Sequence, residues 1–464
     1  MATERWLASA LDYVPHWLDF QMRASQQPGC LVAIAHRGTI VLERAFGAAN
    51  LATGEALTPR HRFRVASHSK SYTAAGIMKL REQGKLKLDD SAGQFVSGLH
   101  PAIARVTIAQ LLSHTAGIIR DGDDAGQFAD RRPYYAAHEL MEDFKKPPLI
   151  EPNSRFKYSN HGYGLVGLII EAITGEPYGK WIKREIVDAA GLKETTPDMP
   201  LPRGTPFARG HSGRVVLGRR VVIPGDNPAH AIGAAGGFVA TAADLARYFA
   251  QLSPDAKTSV LSKTSRREMT RRQWRVPNTA IELYYGLGTI SGTTGGWDWF
   301  GHSGAFQGYI SRTCVYPKPE LTVSVLTNAI DGWGPVWGDG IAHILQAYAR
   351  NGAPSRKTKD WRGRFWTLWS AVDFLPMDNK VLAIAPGYIN PFPEASEIEI
   401  TGRNTGRIAV APGFSSHGEP VRCTRAKSGK ITEIQLAGTK LLSAAKVARE
   451  MEARYVKRPA RRRG

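Results

Sequence analysis

Cysteine is scarce in this chain of 464 residues, which contains only Cys30, Cys314 and Cys423. An odd number of widely spaced cysteines does not form a disulfide framework, and their spacing matches no zinc site. We therefore expect three buried thiols that pack as small apolar side chains, in a protein of a reducing compartment.

Long apolar runs are missing as well. No window of 18 uncharged apolar residues occurs, so the sequence predicts no membrane-spanning helix and no membrane partner. The chain begins with MATERWL, which lacks a basic segment followed by an apolar one, so a secretory signal is not expected. The cytoplasm is the expected location.

Motifs that bind metals or nucleotides are also absent from the sequence. It contains no His-Glu-x-x-His, no cluster of cysteine and histidine, and no glycine loop that would cradle a phosphate. We therefore expect no metal ion and no other cofactor.

Acidic residues are fewer than basic ones. The chain has 41 Asp and Glu residues and 61 Lys and Arg residues, which gives a net charge of +20. The basic clusters are scattered, and no nucleic-acid-binding motif accompanies them. They lie at Arg219-Arg220, Arg266-Arg267, Arg271-Arg272 and Lys457–Arg463. The sequence thus predicts a solvated basic surface and no nucleic-acid partner.

What is present is an ordinary globular composition, with 42% apolar and 22% charged residues. The length exceeds that of one typical domain, so we expect one large unit and a smaller one. In the first 350 residues the patterns predict helices at 3–25, Ser67–Leu80, Gly164–Thr174 and 335–350, strands at 31–35 and 40–43, and a strand-rich segment at 284–328.

A basic segment containing Gly, Pro and Ser follows, and we predict a linker at 351–362. Beyond it, short apolar segments alternate with turn residues, at 381–384, 398–400, 407–410 and 431–436. This spacing predicts an all-β domain over 363–450, a sheet or a small barrel, and then a basic tail at 451–464.

The candidate chemistry begins with Ser67-His68-Ser69-Lys70 at the start of a predicted helix. Positions three apart share a helix face, so the amine of Lys70 can reach the hydroxyl of Ser67. Burial and the positive end of the helix dipole both lower a lysine pKa. A neutral amine can then act as general base and activate the serine as a nucleophile.

Two further segments complete the set. In Tyr158-Ser159-Asn160 the tyrosine can relay a proton, and the amide of Asn160 can bind both the lysine and a substrate amide. In His302-Ser303-Gly304 an edge strand would bind the substrate backbone. The next N–H group, from Ala305, and the N–H of Ser67 would form an oxyanion hole.

Each short motif alone is weak, because each occurs twice. Ser443-Ala444-Ala445-Lys446, Tyr388-Ile389-Asn390 and His211-Ser212-Gly213 are second copies, which we attribute to chance. Taken singly, Ser67 could be a helix cap, Lys70 a surface cation and Tyr158 a packed aromatic. The motifs that begin at Ser67, Tyr158 and His302 differ from these copies in their order along the chain. Tyr158 follows Ser67 by 91 residues, and His302 follows Tyr158 by a further 144.

With these motifs in this order, the chain resembles the serine β-lactamase and penicillin-recognising family. The signature of the wider group is Ser-x-x-Lys, Ser-Asp-Asn and Lys-Thr-Gly. Here Tyr-Ser-Asn takes the second place, as in the class C-like branch that includes D-aminopeptidases and carboxylesterases. His-Ser-Gly takes the third place and is similar to the D-aminopeptidase variant.

Further matches carry this resemblance over about residues 25–350. They are Phe63–Ala66, Gly84–Asp90, Leu111–Gly117, Ala235–Phe238 and Leu326–Asn328. The C-terminal β segment is similar to the lipocalin-like domain that some members append.

The resemblance implies an α/β fold with a mostly antiparallel sheet flanked by helices, a helical subdomain, and a small C-terminal all-β domain. It divides the chain into a hydrolase domain at 1–350 and a lipocalin-like domain at 363–450. It assigns catalysis to Ser67, Lys70 and Tyr158. Substrate binding falls to Asn160, His302, Ser303, Gly304 and Ala305.

The expected function is that of a serine hydrolase, which forms an acyl-enzyme with a small-molecule or short-peptide substrate. β-Lactam-hydrolysing relatives hold the substrate carboxylate with the lysine of Lys-Thr-Gly. His302 replaces that lysine, and a histidine with the ordinary pKa of about 6.5 is mostly neutral at pH 7. We therefore expect a poor β-lactamase. Ester, D-amino-acid amide, short peptide and β-lactam all stay open as substrates, as do the stereochemical preference and a homo-oligomer.

Two alternatives remain. Gly301-His302-Ser303-Gly304-Ala305 nearly matches the Gly-x-Ser-x-Gly nucleophile elbow, but strand-like sequence follows where an elbow needs a helix. The protein could also be a slow-acylating penicillin-binding or peptide-sensing protein. Among other residues, His114 is expected to be structural. Trp297, Trp299, Tyr284 and Tyr285 either line a cleft or belong to the core.

Overall fold

The computed structural model of the protein describes residues 4–456. Most of the basic tail predicted at 451–464 therefore lies outside the described residues. The described chain packs as two compact units. Residues 26–338 form the first, which we call the large unit, and residues 4–25 with 339–456 form the second, which we call the barrel unit.

The α-helices of the described chain are α1 Arg5–Ser25, α2 Ser69–Glu82, α3 Pro101–Ala104, α4 Ile108–Leu112, α5 Ala137–Phe144, α6 Asn160–Thr174, α7 Tyr178–Ile182, α8 Gly233–Gly236, α9 Ala242–Gln251, α10 Lys263–Thr270, α11 Gly334–Asn351 and α12 Ala444–Met451. Within residues 4–456, no helix combines the length and the apolar composition that crossing a bilayer requires.

The strands of the large unit are β1 Gly29–His36, β2 Thr39–Asn50, β3 Glu55–Ala56, β4 Phe63–Arg64, β5 Gly210–His211, β6 Val222–Ile223, β7 Val239–Ala240, β8 Trp274–Val276, β9 Leu283–Tyr285, β10 Ile290–Thr294, β11 Trp297–Phe306, β12 Tyr309–Tyr316 and β13 Leu321–Thr327. Those of the barrel unit are β14 Gly363–Trp366, β15 Ala371–Met377, β16 Lys380–Ile384, β17 Ser396–Gly402, β18 Thr405–Val410, β19 Pro420–Arg425, β20 Ile431–Leu436 and β21 Thr439–Leu442.

A nine-stranded sheet organises the large unit, in the order β3-β2-β1-β13-β12-β11-β10-β9-β8. Its neighbouring strands are antiparallel, and β1 pairs with β13 so that Val32 lies opposite Val325. Helix α9 packs against β1, β2, β12 and β13. All residues of β13 and all but the last residue of β1 are buried, so both faces of these two strands are covered, including the polar Thr322, Ser324 and Thr327.

Helices α2, α6 and α8 pack against one another in the helical part of the large unit. The sequence pattern places the start of the buried helix at Gly164, but α6 begins four residues earlier, at Asn160. The reason is a cap, because the hydroxyl of Ser159 accepts the N–H of Gly162 at 2.8 Å. The helix ends as predicted at Gly175, whose φ is +68°.

The C-terminal all-β domain is a closed barrel of eight strands, β14 to β21. Trp366 of β14 pairs with Leu442 of β21 and completes the closure. Apolar side chains at alternate strand positions fill its core, among them Phe374, Val381, Ile398 and Ile434. The fold class predicted from sequence, an antiparallel sheet with helices and an all-β domain, is thus confirmed.

Helix α1 belongs to the barrel unit, although the pattern of the sequence placed it in the first domain. The hydroxyl of Tyr13 donates to Oδ2 of the buried Asp373 at 2.6 Å. Arg364 of β14 donates to both oxygens of that carboxylate at 2.7 Å. The sequence predicts that the hydrolase domain ends at 350 and that the β domain begins after 362. These limits refer to segments that fold independently, and they stay a prediction.

Candidate active site

Ser67 lies in a single helical turn, Ala66–His68, that leads directly into α2. Ala66 has a φ of +49°, a left-handed conformation that costs a non-glycine residue about 1–3 kcal/mol. Hydrogen bonds hold the turn in this shape. The hydroxyl of Ser69 donates to the carbonyl of Ala66 at 2.5 Å and accepts the N–H of Phe238 at 3.0 Å. The turn thus presents a partly exposed Ser67 above a rigid base.

The amine of Lys70 is fully buried beneath this serine. It donates to Oγ of Ser67 at 3.2 Å, to Oδ1 of Asn160 at 2.7 Å and to the carbonyl of Ala235 at 2.8 Å. Burial lowers the pKa of this lysine well below its ordinary value, although the carboxylate of Asp121 opposes the shift. The amine is thus within reach of the Ser67 proton, and its environment favours the neutral form.

Tyr158 approaches the same oxygen from another side. Its hydroxyl donates to Oγ of Ser67 at 2.8 Å, and the amine of Lys70 lies 4.8 Å from the centre of its ring. Burial raises the pKa of this tyrosine above its ordinary value. The phenol is therefore protonated at neutral pH, and of the two groups Lys70 is the better proton acceptor.

His114 packs against Tyr158, which agrees with the structural role expected for this histidine. Its Nδ1 accepts the N–H of Ser159 at 3.1 Å, and its ring lies 4.1 Å from the ring of Tyr158. Burial lowers the pKa of this histidine well below its ordinary value, so it is neutral. Its buried Nε2 has no hydrogen-bond partner among the described residues, so local bonds satisfy only one of the two nitrogens.

Asn160 connects Lys70 to a carboxylate that was not predicted from the sequence. Its side-chain amide donates to Oδ1 of Asp121 at 2.5 Å, and Oδ2 of Asp121 lies 2.9 Å from the guanidinium of Arg120. Asp121 is buried, whereas the Arg120 side chain is 64% exposed. In the sequence, only the position of Arg120 and Asp121 could have indicated a role in the site, since both closely follow the Leu111–Gly117 segment.

The segment from His302 to Ala305 lies on β11, an inner strand of the sheet and not an edge strand. Pairing with β10 ends at Gly301, opposite Ile290, whereas pairing with β12 continues to Phe306. The remaining side of this half-strand adjoins the Ser67 turn. After Gly301, one side of β11 therefore has no partner strand, like the side of an edge strand. The substrate-binding role predicted for this segment needs such a free side.

Gly304 allows this close approach. A Cβ atom at this position would lie 2.1 Å from the carbonyl oxygen of Val65 and 2.7 Å from Oγ of Ser311. No side chain fits in that space, so β11 and the chain before Ser67 can meet only at a glycine.

His302 is buried, and both of its ring nitrogens are engaged. Its Nδ1 lies 2.7 Å from the carbonyl of Ser303, and its Nε2 lies 3.0 Å from the hydroxyl of Tyr285. The carbonyl can only accept, so Nδ1 carries the hydrogen and Nε2 accepts from the tyrosine. Burial lowers the pKa of His302 well below its ordinary value, and the nearby His68 and Lys70 lower it further. His302 is thus a neutral, internally bonded side chain.

Ser67, Tyr158 and Asn160 border a pocket of about 790 Å³ in the large unit, whereas Lys70 lies buried beneath it. Its lining includes Ser67, Tyr158, Asn160 and the four residues His302 to Ala305. The other walls are mostly apolar, formed by Ala125, Phe128, Tyr134, Ile232, Ile290, Phe306, Ile310, Ile330 and Pro335. Arg120 and its partner Asp121 are the charged members of the described lining. The pocket therefore suits a substrate with a sizeable apolar group.

The second copies of the motifs lie elsewhere. Ser443 precedes the exposed helix α12 of the barrel unit, and Tyr388 belongs to the same unit. His211 bonds the carbonyl of Asn328 at 2.8 Å and the N–H of Leu51 at 3.2 Å, which is a structural role. Ser303 lies within β11 and no helix follows it, so the alternative of a nucleophile elbow is wrong.

The sequence left open whether four aromatic residues line the cleft or belong to the core. None of them lines the pocket in the described structure: Trp297, Trp299, Tyr284 and Tyr285. Tyr285 and Trp299 are buried in the structure. Tyr285 nevertheless matters to the site, because its hydroxyl lies 3.0 Å from Nε2 of His302 and occupies that nitrogen.

Comparison with known proteins agrees with this geometry. The model of the beta-lactamase family matches residues 16–338, and the chain belongs to that family. Penicillin-binding protein 4 of Amycolatopsis lactamdurans is 28% identical over 344 residues, which cover 68% of this chain and 84% of that protein.

Two solved structures share the fold. The octameric penicillin-binding protein homologue from Pyrococcus abyssi superimposes with a TM-score of 0.64 at 24% identity, covering 93% of this chain and all of that one (100%). The D-amino acid amidase from Ochrobactrum anthropi SV3 has a TM-score of 0.64 at 22% identity, covering 74% of this chain and 99% of that one.

The first prediction concerns the nucleophile. We expect Ser67→Ala to abolish covalent labelling by a fluorophosphonate probe, since its Oγ is the atom that Lys70 and Tyr158 both contact. Ser443→Ala and Ser303→Ala should leave labelling largely intact, as measured by gel fluorescence or intact mass. Full labelling of the Ser67→Ala protein would show that another residue is the nucleophile.

The second prediction concerns pH. Only the neutral amine of Lys70 can take the serine proton, so the acylation rate should fall as pH drops through the lowered pKa of this lysine and stay high above it. Lys70→Arg retains a cation that does not deprotonate, and we expect a loss of about 10²–10⁴-fold in acylation rate across the whole pH range. A Lys70→Arg enzyme with an unchanged rate and pH profile would contradict this role.

The third prediction concerns Gly304. Gly304→Ala forces a Cβ against the carbonyl of Val65, so we expect a loss of about 1–3 kcal/mol in unfolding free energy and slower acylation. Gly179→Ala in α7 is the control, because its Cβ would meet no atom within 4 Å. Urea denaturation measures both variants, and equal behaviour of the two would mean that the close contact is not required.

Proposed function

We propose that this protein is a serine hydrolase that acts through an acyl-enzyme on amide, peptide or ester bonds, of the D-aminopeptidase/amidase or esterase type. One observation supports this most directly. Oγ of Ser67 lies within hydrogen-bond distance of both a buried lysine amine, at 3.2 Å, and a tyrosine hydroxyl, at 2.8 Å. A serine flanked in this way has a proton acceptor on one side and a proton donor on the other.

In the first step Oγ of Ser67 attacks the substrate carbonyl carbon while its proton passes to the amine of Lys70. The carbonyl oxygen becomes an oxyanion, which we assign to the N–H groups of Ser67 and Ala305, because both residues border the pocket. When the bond to the leaving group breaks, Tyr158 gives its phenol proton to the departing nitrogen or oxygen. Lys70 then returns a proton to Tyr158.

In the second step water attacks the acyl carbon and gives its proton to the same base, and the ester bond to Ser67 breaks. Ser67 recovers its proton and the acid product leaves. The carboxamide of Asn160 has one oxygen on Lys70 and one N–H on Asp121. We propose that it also binds the substrate amide with its second N–H.

The proposed substrate class follows from what the pocket offers. His302 is neutral and its nitrogens are engaged, so it supplies no cation for a substrate carboxylate. Arg120 is the cation of the described lining, and its charge is paired with Asp121. Such a site favours esters and amino-acid amides with an apolar group over β-lactams. Of these two substrate classes, amino-acid amides are supported by the likeness to a structure described as a D-amino acid amidase.

A second candidate is a slow-acylating penicillin-binding or peptide-sensing protein. The likeness to penicillin-binding protein 4 favours it. Acylation would then resemble that of a hydrolase, and only the release of the acyl group would be slow.

We also propose the cytoplasm as the location, and a homo-oligomer, which the octameric state of the Pyrococcus abyssi homologue supports. All residues to which we assign catalysis or substrate binding belong to the large unit.

The fourth prediction compares substrates on the purified protein. We expect kcat/KM for a short-chain p-nitrophenyl ester or a D-alanine anilide to exceed that for nitrocefin. A charge-assisted hydrogen bond to the β-lactam carboxylate is missing, which corresponds to about ten- to a hundredfold. Faster turnover of nitrocefin than of both other substrates would refute the argument from His302.

The same assay separates the two candidates. A hydrolase shows a steady rate through many turnovers of the ester. A sensing protein shows one stoichiometric burst and then stops. Ser67→Ala, which should show neither, is the matched control for background hydrolysis.

A further inference from the structure

We propose that the barrel unit carries a second binding site, for a small anion with two or more phosphate groups. The site is a crevice of about 940 Å³ at one end of the barrel. Three segments form it: residues 356–362 before β14, the turn between β17 and β18, and the turn between β19 and β20. Alternate connections of an up-and-down barrel lie at the same end, which brings these three together.

The lining of this crevice is strongly basic. It contains six cationic side chains, Arg356, Lys357, Arg362, Arg403, Arg425 and Lys430, against the single carboxylate of Asp360. Of these cations, Arg362 is paired with a carboxylate, at 3.1 Å from Asp12. Within residues 4–456, the other five have no carboxylate within ion-pair distance. Among the described residues, five cations without a carboxylate partner thus line one concave surface.

Arg425 gives the crevice a fixed positive floor. Its guanidinium donates to the carbonyls of Asp360, Arg403 and Gly429, at 3.3, 3.3 and 2.9 Å. Its Nε donates to Oδ1 of Asn404 at 3.1 Å, and it lies over the ring of the buried Trp361, 5.8 Å from the centre. One arginine thus ties the three segments to each other, and the charge stays in place without any bound ligand.

Several like charges around one concave surface repel one another and make the local potential strongly positive. An anion with several charges would relieve that repulsion. Arginine guanidinium groups match the oxygens of a phosphate with two parallel hydrogen bonds, and Arg356 and Arg403 line the crevice without a carboxylate partner, so the crevice suits phosphate better than carboxylate. This second site does not depend on the proposed hydrolase activity.

The test is isothermal titration of the full-length protein with inorganic tripolyphosphate. We expect saturable binding that weakens as salt rises. Arg403→Glu/Lys430→Glu should weaken it at least tenfold, because both side chains are exposed on the crevice and have no acidic partner. The control Arg422→Glu/Lys446→Glu changes the net charge equally at exposed positions outside the crevice, and it should stay within twofold of wild type.

Several outcomes would overturn the proposal. Equal losses in both double variants would show only a general effect of net charge, and no saturable binding would show no site. Citrate binding as tightly as tripolyphosphate would refute the preference for phosphate, and tighter binding of a 12-nucleotide single strand would favour a nucleic-acid surface. Two controls establish that the variants are folded: without ligand, thermal unfolding should occur at a temperature no lower than that of the wild type, and the rate of ester hydrolysis should be unchanged.

Discussion

The candidate active site depends on the burial of one amine. Lys70 has no contact with solvent, and its amine donates to oxygens from three parts of the large unit: Ser67, Asn160 and Ala235. Desolvation disfavours the charged amine, whereas the three acceptors and Asp121 favour it. The net effect is a pKa well below the ordinary value for lysine, so the neutral amine that catalysis needs is favoured. If any of the three acceptors moved, both the geometry and this balance would change.

Rigid surroundings keep that arrangement in place. Ala66 is held in a left-handed conformation by bonds to Ser69, and Gly304 lets β11 approach the carbonyl of Val65. Gly288 has a similar role beneath the lysine, since a Cβ there would lie 2.8 Å from the carbonyl of Lys70. These close contacts belong to the packed large unit, and they position the serine more precisely than a flexible loop would.

The sequence predicted the long periodic elements well and the irregular connections poorly. Helix α2 and the hairpin of β1 and β2 have strong local signals in their apolar periodicity and their turn residues. Asp121 and Arg120 lie in an irregular segment, and nothing local indicated that they reach Asn160. Helix α1 looked like the start of the first domain, but its buried Tyr13 pairs with Asp373, 360 residues later. Contacts over such separations leave no periodic trace.

The sequence alone determined which residue types were available and their order: a Ser-x-x-Lys at a helix start, a Tyr-x-Asn, a His-Ser-Gly, and a basic β-rich C-terminal part. Only the tertiary structure decided the states of those groups. It buried Lys70, and it made His302 a neutral side chain bonded to Tyr285. It also gathered the cations of a predicted linker and two distant turns around one crevice. Protonation and charge pairing depend on solvent access and on neighbours distant in sequence, and only folding sets these.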